Sequence, residues 1–193
     1  MTNTTTRRSM VCVALAVSAL LTLPAVAADL PAGWVASGKA PKDYTMGVEA
    51  AGLNGKPSAF IRARVPKPSG FSTLMQMIVA DDYQGKRVRL TAQVRSAGVE
   101  DWAGLWMRVD GKEGATAFDN MQRRPIKGIT PYTEYQVVLD VAADSEAIAF
   151  GLLLDGPGTV WMTGLRFEIV DKNVPVTEVK LRNDKPKNLD FAQ

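Results

Sequence analysis

The side chains of this chain best suited to binding something are arginines, glutamines and a tryptophan that alternate with apolar residues along two stretches. From 86 to 96, Val88, Leu90, Ala92 and Val94 alternate with Arg87, Arg89, Thr91, Gln93 and Arg95, which predicts a strand with one face buried. From 104 to 110, Leu105, Met107 and Val109 take the buried parity, and Trp106 and Arg108 point the other way. An indole offers a flat apolar platform to the C–H face of a sugar ring, and Arg or Gln supplies directed donors to hydroxyls or carboxylates. Gln76, Arg89, Gln93, Trp106, Arg108 and Asn120 therefore form the candidate ligand surface, and its arginines favour an anionic or polar glycan. The competing reading packs Trp106 beneath a loop and leaves the arginines as an ordinary solvated sheet face.

Other chemistry is narrowly bounded. The sequence has no histidine and one cysteine, Cys12, which excludes Ser-His-Asp and Cys-His catalysis and His-ligated zinc. Carboxylates remain, and two acids facing one another across a cleft could hydrolyse a glycoside. Glu100, Asp101, Asp110, Asp119 and Glu134 are the candidates, but most lie beside glycines or at strand ends, where acids serve as turn residues. The expectation is a protein that is not an enzyme, with no catalytic residue, no metal ligand and no cofactor.

The compartment is read from the start of the chain. Residues 2–9 are polar and carry Arg7 and Arg8, residues 10–23 are apolar, and 24–28 end in small residues. This is the form of a secretory signal, with cleavage expected after Ala28. The apolar run of about 14 residues is short of the ~20 that a spanning helix needs, so no membrane span is expected after cleavage. Arg7-Arg8 also fits a twin-arginine signal, so the export route stays open. Cleavage would remove Cys12 and two of the 23 basic residues but none of the 20 acidic ones, leaving a thiol-free domain near neutrality. Without a dense Lys/Arg stripe among aromatics, no nucleic-acid partner is expected; the chain is expected to be exported, either periplasmic or secreted.

The elements that must hold the candidate surface are short strands punctuated by glycine. Residues 29–43 read as an irregular opening segment, followed by strands over 44–50, 58–65 and 71–79. After the two stretches above, 115–121 predicts a further strand and 122–131 a long basic loop. The most telling block is 132–170, YTEYQVVLDVAADSEAIAFGLLLDGPGTVWMTGLRFEIV. It predicts strands over 135–141, 148–154 and 159–170, the last two joined as a hairpin by Asp155-Gly156-Pro157-Gly158. Both parities of 148–154 are apolar, as in a strand buried within a sandwich. Gly164 shifts the apolar parity of 159–170 from Val160 and Met162 to Leu165, Phe167 and Ile169, predicting a β-bulge. No convincing helix intervenes, so the fold class is all-β: a two-sheet antiparallel jelly-roll sandwich.

The succession DDYQGKRVRLTAQVRS, WAGLWMRVDG, AFDNMQRRPIKG and the 132–170 block resembles galactose-binding-like jelly-roll domains, in particular carbohydrate-binding modules of the family 4/9 type. The resemblance covers roughly 33–170 and implies a two-sheet jelly roll that is often non-catalytic and often attached to another domain. Such modules often carry acids after the strand tryptophan; Thr163 and Gly164 stand there instead, which argues against an inherited structural calcium site.

The expected organisation is a signal peptide over 1–28, a jelly-roll domain over 29–170, and a polar linker over 171–193, with two readings open for Asn188-Leu189-Asp190-Phe191, a returning late strand and a frayed tail. Three functions stay open: an exported binding module for a carbohydrate or other polar small molecule, a protein-interaction or structural accessory domain of the cell envelope, and a carboxylate-dependent glycan-active enzyme.

Overall fold

The computed structural model describes residues 30–178. The expected signal peptide and the Asn188-Leu189-Asp190-Phe191 strand lie outside those residues. The described chain forms nine strands: β1 (Val35–Gly38), β2 (Tyr44–Glu49), β3 (Ser58–Ala63), β4 (Ser72–Val79), β5 (Arg87–Gly111), β6 (Gly114–Asp119), β7 (Ile126–Asp140), β8 (Ala147–Asp155) and β9 (Thr159–Val170). The only helical pieces among them are single 3-10 turns at Pro41–Asp43, Leu53–Gly55 and Asp81–Tyr83. Every pairing is antiparallel. The result is the all-β, two-sheet jelly-roll sandwich that the strand pattern predicts.

One strand belongs to both sheets. The two alternating stretches at 86–96 and 104–110 are a single element of 25 residues. Its first part, Arg87 to Val94, lies between β7 and β9. Its last part, Trp102 to Asp110, pairs with β8, and β6 closes the other side. One layer therefore runs β2-β3-β9-β5-β7 and the other β1-β4-β8-β5-β6. Between the two parts the register against β7 slips three times, and Gly98 takes a φ of 62° that a side chain disfavours. The buried parity changes with the slip, from Val88, Leu90, Ala92 and Val94 to Ala103, Leu105, Met107 and Val109, and all eight enter the same core.

Two connections differ from the expected ones. The turn Asp155-Gly156-Pro157-Gly158 does not close a hairpin: β8 pairs with β4 and β5, and β9 pairs with β3 and β5. Both edges of β8 are already occupied, so the chain arches from one layer to the other. Gly158 lies so close to Gly98 that a Cβ would stand 2.6 Å from its carbonyl oxygen, which seats the arch on the crossover of β5. The basic loop expected at 122–131 is largely strand, since Ile126, Gly128 and Thr130 pair with Ala103, Val99 and Ser96. The bulge at Gly164 is present: Thr163 and Arg166 face Gln93 and Thr91, one residue more on β9 than on β5, with Gly164 at φ 62°.

Residues 171–178, read from sequence as the start of a linker, lie against the sandwich. Arg87 donates to the carbonyls of Lys172 and Val174, both at 2.6 Å, and to Asp140 at 2.8 Å. Thr177 N–H donates to the Val138 carbonyl, and Val138 N–H to Thr177 Oγ1 at 2.8 Å. These residues are polar, so periodicity cannot reveal a dock made by hydrogen bonds to the backbone.

Two predictions follow from this packing. Gly151 on β8 lies between Met75 and Trp106, and a Cβ there would overlap the Leu74 carbonyl oxygen and stand 2.9 Å from Met75 Cα. Gly151→Ala should lower unfolding free energy in a denaturant titration by roughly 1–3 kcal/mol, and an unchanged value would contradict this backbone packing. Asp140 is held down to about 2, first by its hydrogen bonds from Arg87 and, against desolvation, by Lys172. A depressed carboxylate stabilises the fold above its ordinary value of 3.8 and loses that contribution as pH falls through about 2. Thermal stability should therefore drop between pH 4 and pH 2, less steeply in Asp140→Asn; the half-exposed Asp140 carboxylate limits the difference to under ~1 kcal/mol.

Candidate functional site

The outward face of the β2-β3-β9-β5-β7 layer gathers aromatic and charged side chains from five strands. Phe60 on β3 pairs with Trp161 on β9, and Trp161 with Arg95 on β5, so the three stand side by side. The guanidinium of Arg95 lies 3.8 Å from the centroid of the Trp161 ring and 5.7 Å from that of Tyr132. Trp161 Nε1–H donates to Glu49 Oε2 at 2.8 Å, and Arg62 donates to the other oxygen of that carboxylate at 2.9 Å while covering Phe60. Trp161 is 7 % exposed and forms the floor of the cluster.

The hydroxyl of Tyr132 on β7 hydrogen-bonds Ser58 Oγ on β3 at 2.9 Å, across both β5 and β9. Three strand spacings amount to about 14 Å in a flat sheet, more than these two side chains can bridge. The layer must therefore curl toward its outer side, and the cluster occupies a concave face.

Among the described residues the outward arginines of this layer are ion-paired with one exception; Arg87 pairs with Asp140, which Lys172 also reaches. Arg62 pairs with Glu49, Arg89 with Glu168, and Arg166 with Glu134, which Gln93 also approaches at 3.4 Å. Arg95 takes part in none of these pairs, and its Nε is buried with no hydrogen-bond partner among the described residues. A guanidinium carries five donors in a plane and no acceptor, so Arg95 is a charged donor group without an acceptor among the described residues.

The six residues predicted from sequence fall on separate surfaces. Arg89 and Gln93 lie on the concave face. Trp106 and Arg108 lie on the outer face of the other layer, because β5 changes sheet between them. Trp106 is 7 % exposed rather than an open platform: its Nε1–H donates to Thr73 Oγ1 at 2.7 Å, and it packs with Ala149 and Leu153 against Phe71, Met75 and Trp102. Arg108 is tied to Asp110. Asn120 follows β6, and its side chain accepts from Gln122 N–H at 3.1 Å. Gln76 shares the parity of Leu74 and Ile78, which pack in the core, so it is off the outer face altogether.

The sequence reading missed Arg95, Tyr132, Trp161 and Glu49 as a group. Outward parity marks Arg95 and Trp161, but only the strand pairing brings them together.

Three of the five acids singled out from sequence are engaged within the fold. Asp110 and Glu134 are ion-paired, and Asp119 is buried against Arg124 and the Met121 N–H. Tyr44 donates to the Gly70 carbonyl at 2.9 Å, with the Gly156 carbonyl also near at 3.3 Å, and is pushed up to about 12 by burial and then by Asp155. Among the described residues no group of three or more His, Cys, Asp or Glu is placed to hold a metal ion, and no helix is long and apolar enough to cross a membrane.

No family model matches the chain. It is similar to the uncharacterized HTH-type transcriptional regulator YbfP of Bacillus subtilis (strain 168), at 42 % identity over 167 residues, covering 83 % of this chain and 57 % of the regulator. The chain thus spans little more than half the length of that relative. Among solved structures, the CBM22-1 xylan-binding domain of Paenibacillus barcinonensis Xyn10C superposes with a TM-score of 0.53 at 13 % identity, covering 75 % of this chain and 90 % of that one. The Stig cyclase Fisc from Fischerella sp. TAU superposes with a TM-score of 0.54 at 16 % identity, covering 74 % and 87 %. At these identities the likeness concerns the fold alone, an antiparallel β jelly roll.

The two outer faces make distinguishable predictions. Trp106→Ala should lower unfolding free energy by about 3–5 kcal/mol, whereas Arg108→Ala should change it by less than ~1 kcal/mol. Denaturant titration checks both, and a small loss for Trp106→Ala would contradict the packing role.

Proposed function

We propose that this chain is an exported, non-catalytic binding module for a carbohydrate or another polar small molecule, and that its site is the concave face around Arg95, Tyr132 and Trp161. The observation that carries the reading is Arg95: a guanidinium stacked on an indole, with no acceptor among the described residues, in a concavity that also presents the Tyr132 ring. Aromatic rings with directed polar groups suit the alternating C–H and O–H surfaces of a sugar. The xylan-binding domain with the same fold supports the ligand class by analogy of fold, as does the family 4/9 resemblance of the sequence. The composition of residues 1–28 supports export, and the absence of histidine supports binding over catalysis. The name of the relative, a transcriptional regulator, points away from an exported carbohydrate-binding module, so the reading rests on the site and the fold.

A second reading, a protein-interaction domain, is favoured by one observation. On the outer face of the β1-β4-β8-β5-β6 layer, Met77, Val79 and Phe118 are 56 %, 71 % and 44 % exposed.

A glycan array probed with the purified protein, followed by calorimetry on the hits, tests the first reading. Tyr132→Ala and Arg95→Ala should each weaken binding by about tenfold or more, the loss of one charge-assisted or stacking contact, and Trp106→Phe should leave it unchanged. Binding that ignores Tyr132 and Arg95 would overturn the site.

A further inference from the structure

We infer that the ligand of the concave face carries a carboxylate, as in a uronic-acid saccharide, and that Arg95 holds it through its two terminal nitrogens. The inference rests on the reading of this face as a binding site. Three observations lead to it. First, the orientation of the guanidinium is already set: it lies 3.8 Å over Trp161, and Trp161 is itself held by its bond to Glu49. A guanidinium stacked on a ring points its N–H donors outward in its own plane, above the ring, where a planar carboxylate accepts two parallel bonds.

Second, no described residue supplies the acceptor. Arg62, Arg89 and Arg166 each have a carboxylate partner on this face, and Arg95 has none. Its Nε is buried with no partner, so burial has stripped part of the group of water without replacing it. A charged donor in this state gains more from an anionic acceptor than a solvated one does, because the desolvation has already occurred.

Third, the local charge is small. Arg62, Arg89 and Arg166 are neutralised by Glu49, Glu168 and Glu134, and Arg87 and Lys172 share Asp140 at the far end of this part of β5, so Arg95 brings the unpaired positive charge to the aromatic cluster. One charge matches a monoanion. The hydroxyls of Tyr132, Ser58 and Thr163 are engaged with one another or with the backbone, so the neutral part of the ligand meets mainly the Tyr132 ring.

The test compares acid and ester of the same sugar. Trisaccharides of galacturonate, glucuronate and mannuronate, each as the free acid and as the methyl ester, are titrated calorimetrically into the purified protein. At least one acid should bind about tenfold or more tightly than its ester, the worth of a charge-assisted pair. Arg95→Lys, which keeps the charge and loses the fork, should shrink that ratio, and Tyr132→Ala should weaken acid and ester alike. Equal binding of every acid and its ester by the wild-type protein overturns the carboxylate assignment, and so does binding of none of the acids. If acid and ester bind equally and Tyr132→Ala weakens both, the site reading stands without the assignment. If Tyr132→Ala changes neither, the site reading falls as well. The wild-type comparison needs no variant, so a variant that fails to fold does not remove the test.

Discussion

β5 is the constraint on which the rest of this structure depends. One strand of 25 residues supplies a central member to each layer, so the two sheets cannot move apart without breaking it. A continuous strand can join two packed sheets only if it bends, and it bends where ladder hydrogen bonds are given up, at the slips between Val94 and Ala103. The positive φ of Gly98 and the arch of Gly158 over it hold that bend in place. The core then closes between the two parts, with Leu90 and Leu105 fully buried in one cluster although they lie in different layers.

The same bend decides where function can lie. Outward residues before it line the concave face and outward residues after it line the opposite one, so Arg95 and Trp106 are separated by the whole thickness of the sandwich. Each face settles its tryptophan differently. Trp106 donates to Thr73 among apolar neighbours and works as packing. Trp161 donates to Glu49 and supports Arg95 from below, so that a buried indole fixes a cation it does not neutralise. Removing an arginine's water without giving it an acceptor destabilises a fold. Such an arrangement suits a site whose acceptor arrives with a ligand.

The sequence exposes local geometry well and long-range pairing poorly. The parity change at Gly164 shows the bulge because Leu165 and Phe167 resume the apolar face directly after it. Residues 148–154 show a buried strand because both parities are apolar. Strand 126–130 is hidden, since Pro125, Gly128 and Pro131 are the usual marks of a loop; Gly128 instead takes a φ of 68° opposite Val99. β1 is equally faint, as Val35-Ala36-Ser37-Gly38 has little strand character and depends on its pairing with β4. The concave cluster draws Glu49, Phe60, Arg95, Tyr132 and Trp161 from five strands. Parity tells that Arg95 and Trp161 point outward; it cannot tell that they touch, nor that Arg89 and Arg108, in the same strand, face opposite sides.

The most direct measurement is a ligand titration followed by NMR at the indole N–H groups of Trp34, Trp102, Trp106 and Trp161 and at the Nε–H of Arg95. The account predicts that a bound saccharide moves the Trp161 and Arg95 signals and leaves Trp102 and Trp106 in place. Movement of Trp102 and Trp106 with Trp161 and Arg95 unmoved would put the site on the opposite face and contradict it.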